Sequence, residues 1–368
     1  MNRLTRLALT LLTVFCTTVR AQDSLPLAGL EGSLTDPIAG YVKPFSHLDF
    51  SVTSGSTGIG FDVSMPINDM FDLRAGYAIM PRFTHMMHFG VDVGDDPTTS
   101  NSKFERLSGL LEDFTGFKVD NVIDVKGQPT YWNWKLLVDA KPFRDKRWHL
   151  TAGFFLGSRE IARAVNATED MPSLMAVSIY NNLYNRAMSG DTELGTVGGS
   201  TMYLPDELVT KIVEYGRMSI RMGEYKHDVL YEEDVVAPEG GVIIGNELYM
   251  EGDIIHAKGD VMYKAGDAYR LVPDENSMVK AWAYANRLKP YLGFGYGGRL
   301  LKNNPNWHVS FDCGAMFWGG TPQIVTHDGT DLVNDVKNVR GKVGDYVDII
   351  KKFKVFPVLN LRVTRRIF

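Results

Sequence analysis

Six stretches of the chain alternate regularly between apolar and polar residues, which is the pattern of β-strands with one apolar face. In the first of them Ile59, Phe61 and Val63 fall on one face, and Gly60 and Asp62 fall on the other. Short sequences rich in Pro, Asn and Asp join these stretches in pairs, so they predict three β-hairpins. The six predicted strands are 57–65, 71–79, 130–140, 148–156, 288–296 and 307–317.

The connections between these strands are very unequal in length. Turns within the hairpins are short, whereas the links that follow them cover residues 80–117, 159–285 and 318–353. Short turns at one end and long loops at the other are typical of a barrel that crosses an outer membrane. Further strands at 47–53 and 354–368 bring the number to eight, and an even number suits closure. The sequence predicts an all-β fold with helical insertions, a closed antiparallel transmembrane β-barrel of about eight strands.

The N-terminal residues have the features of an export signal. Arg3 and Arg6 precede an apolar stretch at 7–16, and Ala21 provides a small residue for cleavage. We predict a cleaved signal peptide at 1–21, a periplasmic segment at 22–45 and the barrel at 46–368. A lipoprotein signal at Cys16 is the alternative, although Phe15 stands where a small residue is needed.

The charge balance argues against nucleic acid as a partner. The chain has 39 Lys and Arg and 44 Asp and Glu, and removal of Arg3, Arg6 and Arg20 with the signal leaves 36 basic residues. The mature chain is therefore acidic and carries no basic footprint.

Several predicted strands resemble one known group of proteins. The sequences Gly58-Ile-Gly-Phe-Asp-Val, Lys135-Leu-Leu-Val-Asp-Ala-Lys-Pro-Phe and Pro290-Tyr-Leu-Gly-Phe-Gly-Tyr-Gly are similar to strands of small outer-membrane β-barrel proteins of Gram-negative bacteria, many of them uncharacterised. The resemblance implies a cell outer membrane location, contact with outer-membrane lipid, and recognition of the terminal Phe368 by the barrel-assembly machinery. One departure is that Arg362, Thr364 and Arg366 stand at alternate positions before that residue, where apolar residues are usual.

The polar faces of the predicted strands point into the barrel if the apolar faces meet lipid. The interior of an eight-stranded barrel is narrow enough to be filled by side chains, so we predict a polar plug and no large pore. The predicted plug residues are Asp62, Asp72, Arg74, Lys135, Asp139, His149, Lys289, His308, Asp312 and Arg362.

Aromatic residues collect at the boundary between membrane and water. On this basis we predict an outward aromatic girdle near the short-turn side of the barrel. Its residues are Trp132, Trp134, Trp148 and Trp307.

The long connections contain signs of folded structure. Residues 170–188 and 204–222 begin with Pro and acidic residues, as helices often do, and short β segments follow between glycines. We predict an inserted subdomain at 159–285 and an amphipathic helix at 331–353 that covers one mouth of the barrel or, alternatively, binds a partner. Two readings of 159–285 stay open: it forms a recognition surface on the cell exterior, or it extends the barrel wall.

Candidate chemistry is sparse. His85 and His88 are spaced as two metal ligands on a helix would be, but no third ligand accompanies them, so we predict no metal and no cofactor. Ser310, His308 and Asp312 suggest a catalytic triad, yet alternate residues of one strand lie about 7 Å apart.

We therefore expect a non-enzymatic outer-membrane barrel with a structural or surface-interaction role, and an unknown extracellular ligand or protein as its partner. The alternative is an outer-membrane barrel enzyme, or a protein that binds an amphiphile or a peptide at the barrel mouth.

Overall fold

The computed structural model describes residues 44–190, 192–197, 200–237, 242–244, 247–301, 304–352 and 355–367. The predicted signal peptide, most of the segment 22–45, and Phe368 lie outside these residues. Strands are numbered here along the chain, and eight of them form a closed antiparallel barrel in which the last strand pairs with the first. They are β1 (Asp49–Gly55), β2 (Gly58–Pro66), β3 (Phe71–Ile79), β7 (Trp132–Ala140), β8 (Trp148–Gly157), β21 (Leu288–Leu301), β22 (Asn304–Phe317) and β25 (Val355–Arg366).

The closed barrel of eight strands confirms the fold class expected from the alternating pattern. At one end, the short-turn end, only residues 67–70, 141–147 and 302–303 connect the strands. At the other end, the cap end, the strands are connected by residues 56–57 and by three long segments. We call the described residues of 80–131, 158–287 and 318–352 the cap.

The outer surface of the barrel is a continuous exposed apolar belt. Alternation sends every second side chain outward, and the outward positions of all eight strands carry aliphatic or aromatic residues. Nothing in the described chain covers them, and water is a poor solvent for so much apolar area. Exposed belt residues include Phe50, Val52, Ile59, Phe61, Ile79, Leu136, Leu150, Leu156, Leu292, Phe294, Phe311, Leu359 and Leu361.

Five consecutive barrel strands continue into the cap as a second sheet, which we call the wall. Each wall strand stands next in sequence to one of β3, β7, β8, β21 and β22, and the wall keeps their order. The wall strand at 122–129 and barrel strand β7 follow each other along the chain, separated only by residues 130–131. The wall strands are β4 (His85–Gly90), β6 (Val122–Pro129), β9 (Glu160–Asn166), β20 (Lys280–Tyr284) and β23 (Gln323–Thr326).

The rest of the cap consists of helices and short strands. The strands are β5 (Asp92–Val93), β10 (Glu193–Val197), β11 (Ser200–Tyr203), β12 (Met218–Tyr225), β13 (Val229–Leu230), β14 (Val235–Val236), β15 (Val242–Ile244), β16 (Glu247–Tyr249), β17 (Ile254–His256), β18 (Val261–Tyr263), β19 (Ala268–Leu271) and β24 (Val336–Lys337). The helices are α1 (Pro97–Thr115), α2 (Met171–Ser189), α3 (Asp206–Tyr215) and α4 (Gly341–Lys352), and a single 3₁₀ turn, Thr168–Asp170, precedes α2. One small sheet is built on β12, which pairs with β19, β24 and β5. Three further pairs, β13 with β18, β14 with β17 and β15 with β16, succeed one another along a finger at residues 229–263.

Two helix predictions were too long. The predicted helix at 204–222 ends at Gly216, whose φ of 83° suits glycine, and residues 218–225 form β12. The helix predicted at 331–353 covers only α4, because β24 and the turn at Asn338 occupy the first part.

All three long connections contribute to one apolar core in the cap. Phe104 and Leu107 come from the first connection, Leu174 and Tyr269 from the second, and Leu332 from the third. The predicted subdomain 159–285 is therefore not a separate unit, since its core is completed by residues before and after it. No helix among the described residues is long and apolar enough to span a membrane.

Candidate functional site

Paired charges fill the middle of the barrel. Arg74 of β3 contacts Asp312 of β22 at 3.2 Å and Asp139 at 3.0 Å. Arg362 of β25 contacts Asp139 of β7 at 3.2 Å. In the order of the eight strands, β3 lies opposite β22 and β7 lies opposite β25. These two ion pairs therefore cross the full width of the lumen.

Further polar contacts complete this plug. Lys135 lies 2.5 Å from Asp62, His149 Nε2 lies 2.8 Å from Asp312 Oδ1, and the Thr151 hydroxyl donates to Asp139 at 2.6 Å. Three of the basic residues face three carboxylates, all nine-tenths buried or more, so their charges balance. Buried charge is tolerated when it is paired in this way.

The remaining predicted plug residues lie at its two ends. Asp72 and His308 are half-buried at the short-turn end, where Asp72 pairs with Lys141 at 2.5 Å. Lys289 is fully buried toward the cap end and donates to Asn133 Oδ1 at 3.2 Å and to the carbonyl of Ser158 at 3.3 Å. Eight of the ten predicted residues are thus buried in the lumen, and the other two line its opening.

An apolar layer lies above the ion pairs, toward the cap. Its side chains come from five neighbouring strands, and each is at most 5% exposed. A polar cleft of about 230 Å³ opens at the short-turn end, and its lining includes Asp139, His149 and Arg362 of the plug. The layer consists of Leu137, Phe155, Tyr291, Met316 and Val358.

The residues of the suspected triad have other partners. Asp312 contacts His149, which comes from another strand, and not His308. The Ser310 hydroxyl accepts a hydrogen bond from Arg362 Nε at 2.9 Å. The three residues are not assembled as nucleophile, base and orienting acid.

The four tryptophans divide between the two ends of the belt. Trp148 and Trp307 lie near the short-turn end, as predicted, but Trp132 and Trp134 begin β7 at the cap end. The prediction that all four share one end was wrong, because β7 begins at the cap end and runs toward the short-turn end. Tyr77 packs against Trp134 with ring centroids 4.9 Å apart, so each end has aromatic residues.

The cap contains an apolar cavity of about 330 Å³ beside the inner face of the wall. Where the strands pair, Ala164 lies opposite Gly127 on one side and Ala281 on the other, and Ala162 lies opposite Ala283. These small side chains do not fill the space in front of the sheet. Residues from β12, β19 and α4 form much of the facing surface, together with Leu332, and they are Ile220, Met222, Leu271, Val343, Tyr346 and Ile350.

Three polar side chains along the cavity, those of Gln128, Thr326 and Lys280, donate hydrogen bonds within the protein, and His85 and Arg163 also line it. Thr326 donates to Asp328 at 2.6 Å, and Lys280 donates to Asp274 at 2.8 Å. Burial alone would raise the pKa of Asp274, but hydrogen bonds from Lys280 and from backbone N–H groups outweigh it and lower that pKa. These polar groups keep their hydrogen bonds within the protein, so the surface left for an occupant is apolar.

The cavity is rimmed by exposed residues at the edge strand of the wall. Phe83 is 58% exposed and Tyr346 is 42% exposed, and both line the cavity. His85 is exposed at the same rim, and its ring meets that of Tyr346 edge-on at 6.0 Å.

The two histidines considered as metal ligands do not act together. His85 lies on the cavity rim, whereas His88 contacts Asp124. Among the described residues no group of three or more His, Cys, Asp or Glu side chains is placed to hold a metal ion.

Sequence reasoning missed the wall cavity, helix α1 and a short repeat at residues 252–267. A seven-residue repeat places Gly before Asp at 252–253, 259–260 and 266–267. Each Asp accepts the backbone N–H three residues earlier, at 2.7–2.9 Å, and each Gly has positive φ. The repeat was visible in the sequence. For α1 the signal was Asp96 before Pro97, a helix cap followed by a favoured first residue.

Comparison with known proteins gave matches only among solved structures, because no family model and no curated protein matches the chain. Two similar structures are CarO2 and CarO of Acinetobacter baumannii, each with 14% identity, a TM-score of 0.33 and coverage of 88% of this chain. The matches cover 100% and 98% of those chains. A major outer membrane protein from Thermus thermophilus has 12% identity and a TM-score of 0.24, with coverage of 87% of this chain and 99% of its own.

Proposed function

We propose that this protein is an integral outer-membrane barrel that conducts no large solutes and holds its cap at the cell exterior, where the cap has a surface-interaction role. The observation that carries the proposal is the combination of an exposed apolar belt with a filled lumen. A belt of this kind needs lipid around it, and a lumen crossed by ion pairs leaves no wide path.

The cap supports the second part of the proposal. It has its own core, and its connections are far longer than closure of a barrel needs. Recognition is commonly built on loops that a rigid scaffold holds in place. Both ends of the described barrel chain lie at the short-turn end, so a chain that enters from the periplasm places the cap outside.

Membrane integration is tested by expressing the full chain in Gram-negative cells and extracting membranes with carbonate and with urea. The protein should stay in the outer-membrane fraction. Its migration in gel electrophoresis should differ between unheated and heated samples. Recovery of folded protein from the soluble periplasm would contradict the proposal.

The sealed lumen and the topology need separate measurements. In planar bilayers the purified protein should give no steady conductance on the nanosiemens scale. Protease added to intact cells should cleave the finger at 229–263 and leave the short turns protected. A steady large pore would contradict the seal, and protection of the finger would place the cap in the periplasm.

A further inference from the structure

We infer that the cavity in the cap binds the hydrocarbon chain of a small single-chain amphiphile. This inference deepens the proposed function, since it names a ligand class for the cap. It rests on the membrane location only for the route by which the ligand arrives.

The lining selects for hydrocarbon. Gly127, Ala162, Ala164, Ala281 and Ala283 give the wall a smooth inner face without a polar side-chain atom. Facing them are aliphatic residues and Tyr346, while Thr326 and Lys280 are bound to protein carboxylates. A polar molecule would lose its hydrogen bonds to water on entering and find few replacements.

The size favours one chain. A volume of about 330 Å³ is at the lower limit of sites that hold small molecules, roughly 300–1,000 Å³. A two-chain lipid is too large for it. Apolar cavities of smaller volume than this one stay free of water and take up apolar guests.

The rim connects the cavity with the membrane belt. Ile79 is an exposed belt residue at the cap end of β3, and Phe83, four residues later, is exposed and lines the cavity. The wall continues only five of the eight barrel strands, so above β25, β1 and β2 it is open, and Tyr346 of α4 meets the edge strand there. A chain leaving the membrane at this point can pass from Ile79 to Phe83, and exposed His85 is a polar group at the same rim for its head.

Binding is tested with the full-length protein in lipid nanodiscs and a dansyl-labelled undecanoic acid as the probe. Ala164→Phe fills the cavity from the wall, and it should weaken probe binding by at least about tenfold. Val165→Phe is the matched control, because Val165 does not line the cavity and adjacent residues of a strand point to opposite faces, and it should bind as the unmodified protein does. If Ala164→Phe does not fold, as judged by heat-dependent migration, Ala164→Leu replaces it.

Absence of binding by the unmodified protein, or equal binding by Ala164→Phe and Val165→Phe, would overturn the inference. Loss of binding in a chain that remains in the membrane contradicts only the inference, whereas extraction of the chain into the soluble fraction contradicts the proposed function.

The source of the ligand is tested by offering the probe either in the bilayer or on albumin in water. Ile79→Asp should slow loading from the bilayer and leave loading from water unchanged, because Ile79 lies on the belt next to the rim without lining the cavity, and a charge there disfavours passage of an apolar chain along the belt. Unchanged loading from the bilayer would overturn the proposed route.

Discussion

Five strand paths line both the barrel lumen and, where they continue as the wall, the cap cavity, yet the lumen is filled and the cavity is not. In the barrel the inward side chains are large, and they include Arg74, Lys135, Phe155, Tyr291 and Met316. In the three middle strands of the wall, several inward positions carry small residues, namely Gly127, Ala162, Ala164, Ala281 and Ala283. The size of inward residues therefore decides where this fold is solid and where it is hollow.

The lumen and the cavity also differ in how strongly their side chains depend on particular partner residues. In the lumen each charge depends on a partner from another strand of the barrel, so a single loss leaves an unpaired charge without water. In the cavity the lining residues make mainly apolar contacts, and a methyl group added at Gly127 has to displace only the flexible end of a neighbouring side chain. Substitutions of similar size should thus have opposite consequences in the two places.

The largest effect is expected from Arg74→Met in the plug. Asp139 and Asp312 would both lose a contact of 3.0–3.2 Å while remaining buried. We expect the free energy of unfolding to fall by about 3–5 kcal/mol, the usual result of breaking a buried pair from one side. Urea unfolding in lipid vesicles, followed by tryptophan fluorescence, measures it.

Arg147→Met is the control for this prediction. Arg147 pairs with Asp145 in a turn at the short-turn end, where the side chain is 60% exposed, so little change is expected. Equal destabilisation by the two substitutions would contradict the assignment of the plug as a cooperative network.

A sharper comparison places the same substitution in both regions. In Gly76→Ala the new methyl group would collide with the backbone oxygen of Phe61 and with Asp62, and the backbone cannot yield. In Gly127→Ala its nearest neighbour is the flexible end of Met87, 3.2 Å away. We expect Gly76→Ala to cost about 1–3 kcal/mol and Gly127→Ala to be close to neutral, measured by the same urea titration. A larger loss for Gly127→Ala would show that the wall is packed as tightly as the barrel.

The barrel strands could be predicted from the sequence because the alternation of apolar and polar residues that marks them is local. Alternation with period two is visible within nine residues, as at 57–65, and it identified six of the eight barrel strands, while the even number that closure needs supplied the other two. It also sorted the inward residues correctly, since parity alone decides which side a residue faces. The partner of a given charge was out of reach, because Arg74 and Asp312 are 238 residues apart and meet only when the barrel closes.

The cavity could not be predicted for a related reason. Alanine and glycine carry little hydrophobic signal, so Ala162, Ala164 and Ala281 do not mark a strand face as Leu or Phe would. Their effect appears only after β9 and β20 pair and bring the small residues side by side. The error over Trp132 is of another kind, since the predicted hairpin of 130–140 with 148–156 already places the start of its first strand away from the short turn.

Alkaline pH should separate the cap from the barrel. Burial, and then the charge of Asp328, raise the pKa of Tyr269 well above its usual value. The unfolded chain then loses this proton first, so the stabilisation is complete below about pH 10 and is lost as the pH rises further. One such group costs about 1.4 kcal/mol per pH unit in that range.

Hydrogen exchange at β19 and β23, followed between about pH 9 and pH 11, measures this loss against the barrel strands. Opening of the cap should become easier as pH rises, and Tyr269→Phe should lower the slope. An unchanged slope in that variant would mean that other groups cause the alkaline opening.

The smallest effect is expected where the cap meets solvent, at the start of α1. Asp96 accepts hydrogen bonds from the backbone N–H and the hydroxyl of Thr98, at 2.8 Å and 2.7 Å, and the bond to the hydroxyl leads the causes that lower the pKa of this carboxyl. Asp96→Ala removes the cap of the helix, so amide exchange in its first turn should become faster, while Asp96→Asn, which keeps an acceptor, should restore most of the protection. Amide exchange in the barrel and at the cavity should stay unchanged, because α1 contacts the cap core through Phe104 and Leu107, which do not line the cavity. Faster exchange at β9 and β20 in the alanine variant would instead show that the wall depends on α1, and that the hollow region is less rigid than its strand pairing implies.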